Sequence, residues 1–170
     1  VIRVEPRGRG DHARSSRAGQ GGRPFSSARV NRGKGSAARD LKAPADLEVA
    51  RALARRADVL VENFRPGVMD RLRLGWSDLQ AEAPGLVYCS ISGFGHTGPW
   101  RARPAYDAVV QGMSGILSAT GPQDGPPTTP RVPVADLSAG HYAAHALNDA
   151  RRARAHHGHG PHLAPARGEP

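Results

Sequence analysis

Stretches of periodic apolar residues alternate along the chain with stretches that have none. The opening VIRVE alternates apolar and polar side chains and predicts a short strand entering a loop. Residues 6–36 are rich in Gly, Arg and Ser, with Phe25 as their large apolar anchor, and read as a ligand loop or a poorly ordered segment. Pro44 opens a helical pattern that puts Leu47, Ala50, Leu53, Ala54 and Ala57 on one face. Asp58 to Glu62 (DVLVE) predicts a buried strand of a parallel sheet. Asn63 to Gly67 (NFRPG) is a turn, and Val68 to Leu72 a short helix.

Ser77 and Gln80 form a capping box for a further short helix, stopped by Pro84-Gly85. Leu86 to Phe94 (LVYCSISGF) predicts a second strong strand, and residues 95–105 a Gly/Pro loop. A helix over about Tyr106 to Leu117 buries Val109, Val110, Met113 and Ile116. After a second long loop at residues 119–131, the segment Val132 to Asp136 (VPVAD) leads into a helix that runs through Tyr142 to about Leu147. Strands alternating with helices predict an α/β fold with a mostly parallel sheet.

From Asn148 the pattern stops. The stretch NDARRARAHHGHGPHLAPARGEP holds one large aliphatic residue, Leu163, and is expected to lie as a disordered tail because it has too little apolar surface to bury. The abrupt change of text suggests a frameshift or a truncated gene. His156, His157, His159 and His162 are metal-ligating types, but a tail offers no scaffold to fix a coordination geometry, so no metal is assigned.

Composition narrows the classes. The chain's 170 residues correspond to one domain with a tail, taking ~150 residues per domain, and 38% hydrophobic residues predict a modest core. Seven of the eight aromatic residues lie between Phe64 and Tyr142, which puts the best-formed core there. No apolar run approaches the ~18 residues of a membrane span, and the first residues lack the apolar stretch of a signal peptide. A single cysteine, Cys89, excludes an intramolecular disulfide framework and fits a reducing compartment, so the expected location is the cytoplasm. Lys and Arg total 24 against 15 acidic residues, a net charge of +9 concentrated in the flanks from Arg3 to Arg39 and from Arg151 to Arg167. That charge suits a polyanion or a ligand with several phosphates, and it equally suits Arg-rich codon usage.

Two Gly/Pro-rich loops at strand ends converge where open α/β sheets bind ligands. Within them Asp136 follows a β-like segment and opens a helix of small residues, Leu137-Ser138-Ala139-Gly140. Taken alone, an Asp at such a place is an ordinary N-cap. It is also a carboxylate that a helix N-terminus favours as the anion, with room beside it for a bulky substrate.

The longer motifs carry more. VENFRPGVMDRLRLGW, LVYCSISGFGHTGPWRARPAYDAVVQGMSG and TGPQDGPPTTPRVPVADLSAG, with VIRVEPRGRGD and NRGKGSAARDLKAP ahead of them, closely resemble the family III CoA-transferases, which include formyl-CoA and carnitine CoA-transferases and α-methylacyl-CoA racemases. The resemblance runs in order from Val1 to about Leu147. It implies a partial Rossmann-like parallel sheet with flanking helices, residues 1–147 forming part of the family's large domain.

It further implies that Asp136 is the catalytic carboxylate. In the family that group attacks the donor thioester to form a mixed anhydride, the released thiolate converts the anhydride to an aspartyl-CoA thioester, and an acceptor acid reverses the steps. Coenzyme A enters as acyl-CoA substrate beside a small carboxylic acid, with no metal. Oxyanions formed on the way need N–H donors, which glycine-rich backbone supplies. Lys42, Asn63, Phe64, Val68 and Arg71 match positions that line the CoA site, Lys42 and Arg71 to pair with phosphates and Phe64 to cover an apolar part. Arg32 and Lys34 are further phosphate candidates. By themselves Asn63 and Phe64 are equally a turn residue and a core anchor.

Two departures mark a variant front segment: Gly35 stands where the family usually has Arg, and Arg39 where an aliphatic strand residue is usual. Tyr106 occupies the place of the racemase branch's catalytic His. A racemase needs a second acid/base group, and tyrosine with an unperturbed pKa of ~10 serves poorly, so a transferase is favoured over a racemase. Family members are longer, adding a leading strand–helix unit and a second, smaller domain, and they form interlocked homodimers. A chain without those parts is expected to be impaired. A nucleic-acid-binding protein is the reading from another class; it rests on the charge alone, without recognition helix, zinc spacing or aromatic-basic stripe.

Overall fold

A computed structural model describes residues 1–10 and 30–165. The chain divides into two compact units, Val1–Leu53 and Ala54 onward. In the first, β1 (Ile2–Glu5) pairs in parallel with β2 (Gly35–Ala38), Ile2 opposite Gly35 and Glu5 opposite Ala38. β2 falls at the end of the stretch read as loop; its sequence, GSAA, has no apolar alternation to announce a strand. Residues 6–10 and 31–34 of that stretch are turn and loop as expected, and the remainder of the reading, Phe25 included, falls on residues 11–29, outside the described residues.

Carboxylates organise this unit. Glu5, only 6% exposed, accepts hydrogen bonds from the Arg3 guanidinium at 2.6 Å and from the Ser36 hydroxyl. Asp46, in the first turn of α1 (Pro44–Arg55), is also buried and accepts from the Asp40 backbone N–H at 2.7 Å and from Arg7 at 2.8 Å. The Asp40 N–H foremost, then Arg7, hold its carboxyl below the usual range despite the opposing effect of burial. On the expected face of α1, Ala50 is buried, as is Ala54 at the start of the second unit.

The second unit is built on β3 (Val59–Glu62), β4 (Val87–Ser90) and β5 (His162–Leu163), all parallel, in the order β3-β4-β5. β4 is central and fully buried, flanked by Leu74, Leu79 and Leu86 in the core. β3 was expected to be buried throughout, but Val61 is 53% exposed, because β4 is its only paired neighbour among the described residues. After α2 (Val68–Arg71), helix α3 (Trp76–Glu82) starts one residue before the expected capping box; Gly75 is its cap and no side chain bonds the free N–H groups. The helix expected over Tyr106–Leu117 is two helices, α4 (Asp107–Met113) and α5 (Ile116–Ala119), because Gly115 takes φ +80° between them. Of its expected core residues Val110 is buried, whereas Val109 and Met113 are nearly half exposed.

The largest difference concerns the end of the chain. Helix α6 does not stop near Leu147 but runs from Val134 to His157, packed on β4 and α4. Its buried residues, Ala135, Ala139, Ala143 and Ala150, are all alanines, which presents a narrow apolar stripe that a search for large hydrophobics passes over. Beyond it the chain is held by polar contacts rather than by apolar burial. Arg154 donates to the carbonyls of Asp58 and Gly85 and pairs with the Asp58 carboxylate at 3.0 Å. Gly158 closes the helix with φ +78°, its N–H bonded to the Arg154 carbonyl. Gly160 then donates to the Pro84 carbonyl, and β5 follows. Residues 148–165 of the expected tail are thus placed in helix, cap and strand; residues 166–170 lie outside the described residues.

His162 fixes β5 on the sheet. Its ring stacks on Trp76 (5.7 Å between centroids), meets Tyr88 edge-on at 5.3 Å, and places Nε2 3.1 Å from the Ser90 hydroxyl. Burial, and next the neighbouring His96, hold its pKa below the ordinary value against the opposing pull of Asp70. A histidine whose folded pKa is depressed contributes fully above its unfolded value of ~6.5 and loses that contribution as pH falls from there through the folded pKa. Lowering the pH from 7.5 to 5.5 should therefore lower the protection factor of the Tyr88 amide, its exchange rate taken relative to the intrinsic rate at each pH, because that amide bonds the Pro161 carbonyl, and His162→Phe should abolish that pH response. Gly160→Ala places a methyl 2.0 Å from the Leu86 carbonyl oxygen. It is expected to cost about 1–3 kcal/mol and lower Tm measurably, because the obstruction is backbone.

Candidate functional site

The candidate site is assembled at the carboxyl ends of β3 and β4. β3 passes directly into the turn Asn63 to Gly67. The Asn63 amide donates to the Ile91 carbonyl at 2.8 Å, tying this turn to the chain just past β4. Phe64 donates its backbone N–H to the Glu62 carboxylate at 2.7 Å, and its ring remains 46% exposed rather than anchoring the core. Gly67, at φ +79°, lets the chain enter α2. Within α2, Val68 is half-buried and Arg71 is exposed; a Cβ at Gly67 would lie 3.4 Å from the Arg71 guanidinium, so glycine also makes room for that side chain.

Past β4, Gly93 abuts Ala105 so closely that an added Cβ would lie 2.2 Å from the alanine methyl. The intervening loop therefore closes on itself and delivers Tyr106, 75% exposed, and Asp107 at the start of α4. One Asp107 carboxylate oxygen accepts the backbone N–H of Asp136 at 3.1 Å; the other accepts from the Gln111 amide. The same Gln111 nitrogen donates to the Val132 carbonyl at 3.3 Å.

Asp136 is not the helix cap: α6 begins at Val134, two residues earlier than expected, with Pro133 at the cap position. Asp136 lies in the first turn, solvent-exposed, where the macrodipole favours negative charge. An open groove runs along another face of α6, lined by Val134, Leu137, Ser138, His141 and Tyr142 among others, and Asp136 does not line it. Asn63, Phe64, Val68 and Arg71 share one turn and helix. Lys42, Arg32 and Lys34 belong to the first unit and are all exposed, the Lys42 backbone N–H bonded to the Asp40 carboxylate. Asp107 and Gln111 were not singled out from the sequence, although their i, i+4 spacing is a readable signal of a facing pair. The Val132 carbonyl had no such signal.

Comparison with known proteins matches residues 1–166 to the profile of CoA-transferase family III. The match continues past Asn148, where the sequence text changes. The chain belongs to CoA-transferase family III. It is 44% identical to the acetyl-CoA:oxalate CoA-transferase of Acetobacter aceti, over 96% of this chain and 42% of that protein. It is 41% identical to the succinyl-CoA:glutarate CoA-transferase of Mus musculus, over 86% of this chain and 34% of that one. The crystal structure of a CAIB/BAIF family protein from Brucella suis superposes with a TM-score of 0.91 at 39% identity, covering 98% of this chain and 45% of its own. The family III chain thus spans less than half the length of these relatives.

The cysteine and the histidines near the end of this family III chain are placed differently from the exposed Asp136. Cys89 sits in the middle of β4 with no exposed surface, and burial first, then the Glu62 charge, pushes its thiol up to about 11. Thiolate is therefore scarce at neutral pH and the sulfur has no path to a substrate. His156, His157, His159 and His162 do not converge: His157 and His159 stack on each other, and His162 faces Ser90. Among the described residues no three His, Cys, Asp or Glu side chains are grouped to hold a metal ion, and no helix is long and apolar enough to cross a membrane. Iodoacetamide at pH 8 should leave Cys89 unlabelled in the native protein and label it at the rate of unfolding when denaturant is added. Rapid labelling without denaturant would contradict its burial.

Proposed function

We propose that this chain carries the nucleophile of an acyl-CoA:carboxylate CoA-transferase, and that Asp136 is that nucleophile. The observation that carries the reading is the Asp136 carboxylate: exposed, in the first turn of α6, with its own N–H held by Asp107, inside the VPVAD segment of a family III chain. An Asp136 oxygen attacks the thioester carbonyl of the donor. The C–S bond breaks, giving a mixed anhydride and the CoA thiolate. The thiolate then attacks the Asp136 carbonyl carbon, the donor acid leaves as its carboxylate, and an aspartyl-CoA thioester remains. An acceptor carboxylate takes CoA by the reverse sequence. One thioester replaces another, so the exchange needs no external energy source.

Lys42, Arg71, Arg32 and Lys34 are proposed to meet the phosphates of CoA, the half-exposed Phe64 ring to cover an apolar part of it, and Asn63 with Val68 to line the site. The named substrates of relatives, oxalate and glutarate among them, make short dicarboxylic acids the first acceptors to try. Tyr106, exposed before Asp107, supplies no histidine for the two-sided proton transfer of a racemase. A soluble setting and an interlocked homodimer in the longer form belong to the same proposal.

Incubation with acetyl-CoA or succinyl-CoA, followed by hydroxylamine, should convert Asp136 to its hydroxamate, located by mass spectrometry. CoA should raise Tm in proportion to its occupancy. Asp136→Asn should lose at least about 10³-fold in rate, in line with other nucleophile deletions. Modification elsewhere, with Asp136→Asn as active as the parent, would exclude this mechanism.

A further inference from the structure

The Gln111 side chain is wholly buried, and a buried amide is a costly filler for a position that Met or Leu occupies without polar atoms. Its two N–H groups are both engaged, one by the Asp107 carboxylate and one by the Val132 carbonyl, while its own carbonyl oxygen has no partner among the described residues. The amide is therefore locked in orientation. Turning it over would press its oxygen against a carboxylate and a carbonyl, acceptor against acceptor. Three segments meet at this one side chain: α4, the chain entering α6 at Val132, and, through the other oxygen of Asp107, the backbone N–H of Asp136.

We infer that Gln111 is a positioning residue: it fixes the Asp107 carboxylate and the Val132 carbonyl so that the first turn of α6 presents Asp136 in one orientation. This rests on the reading of Asp136 as nucleophile. A carboxylate that attacks a thioester must hold its oxygen within a narrow range of distance and angle, and misplacement by about 1 Å costs on the order of 10²-fold in rate. Gln111 touches no substrate in this scheme. It acts through Asp107, and the orphaned carbonyl oxygen is the cost of an amide that spends both N–H groups on orientation.

The test compares wild type, Gln111→Met and Gln111→Glu by backbone hydrogen exchange and by kinetics with acyl-CoA. Gln111→Met keeps the volume and removes both donors. The protection factor of the Asp136 amide should fall at least about tenfold while those of Leu79 and Val87 stay unchanged, and kcat should fall about 10- to 100-fold with KM for acyl-CoA within about twofold. In Gln111→Glu a buried carboxylate faces the half-buried Asp107 carboxylate at neutral pH, and the new acid titrates well above its ordinary ~4.3. Once protonated it donates to Asp107 again, so Asp136 protection should recover between pH 8 and pH 5 in this variant and not in Gln111→Met. A purely structural substitution gives no such pH-dependent rescue. Should Gln111→Met not fold, Gln111→Glu at the two pH values carries the same comparison. Unchanged Asp136 protection in Gln111→Met, or no recovery in Gln111→Glu, overturns the positioning role whether or not the chain turns over acyl-CoA. An exchange pattern as expected, with a wild type that forms no Asp136 adduct, overturns instead the nucleophile reading on which that role depends.

Discussion

The burial of β4 is the constraint on which the second unit depends. Val87 to Ser90 have almost no exposed surface, with β3 bonded on one side and β5 on the other. A central parallel strand must have both faces covered as well as both edges paired. Leu74, Leu79 and Leu86 contribute to the core around it, and the alanine-lined α6 packs upon it. Tyr88 carries the constraint furthest: its ring is buried, and its hydroxyl donates to the Leu74 carbonyl at 3.0 Å, joining the strand to the turn between α2 and α3. Because β4 is fixed, its carboxyl end is fixed, and the loops carrying Asn63, Gly93 and Asp107 are positioned from it.

How much of this was legible depended on the type of signal. β4 announced itself through LVYCSISGF, and the turn through NFRPG, because apolar runs and Pro/Gly punctuation are local properties. α6 past Leu147 did not, since its buried face is Ala135, Ala139, Ala143 and Ala150, whose small side chains carry little apolar surface and mark the face only weakly among the polar residues between them. β5 was invisible for another reason. It has two residues, His162 and Leu163, and its order comes from bonds of Arg154 to Asp58 and Gly85, of Gly160 to Pro84, and from the histidine's aromatic neighbours Trp76 and Tyr88, all partners distant in sequence. The break at Gly115 was written in the sequence, but the apolar spacing of Val109, Val110, Met113 and Ile116 outweighed a single glycine.

At the site, Asp136 could be singled out because it lies in a long ordered motif. Its supports could not. The i, i+4 spacing of Asp107 and Gln111 marks a common surface pair, and nothing local says that this pair reaches twenty-odd residues onward to Val132 and Asp136. Phe64 shows the opposite limit. As a large apolar residue it suggested a core anchor, yet it is 46% exposed, in a turn whose backbone is held by the bond from the Phe64 N–H to Glu62. An aromatic ring left half in water at the end of a parallel strand is a poor use of apolar surface for stability and a good use for covering a ligand.

The contrast between Cys89 and Asp136 closes the chemical argument. Sulfur is intrinsically the better nucleophile, but β4 buries it beside the Glu62 charge and keeps it protonated, so the fold withdraws it from reaction. Carboxylate is a weak nucleophile that gains nothing from concealment, because it must remain an anion and must reach an activated acyl carbon. Under the proposed mechanism it belongs where Asp136 is: in water, on the first turn of a long helix, with its backbone N–H bonded to a second carboxylate that also accepts from a buried amide. In that mechanism an activated substrate such as a thioester compensates for the weak nucleophile, and the protein must then add orientation, the role proposed for the polar contacts of Asp107 and Gln111.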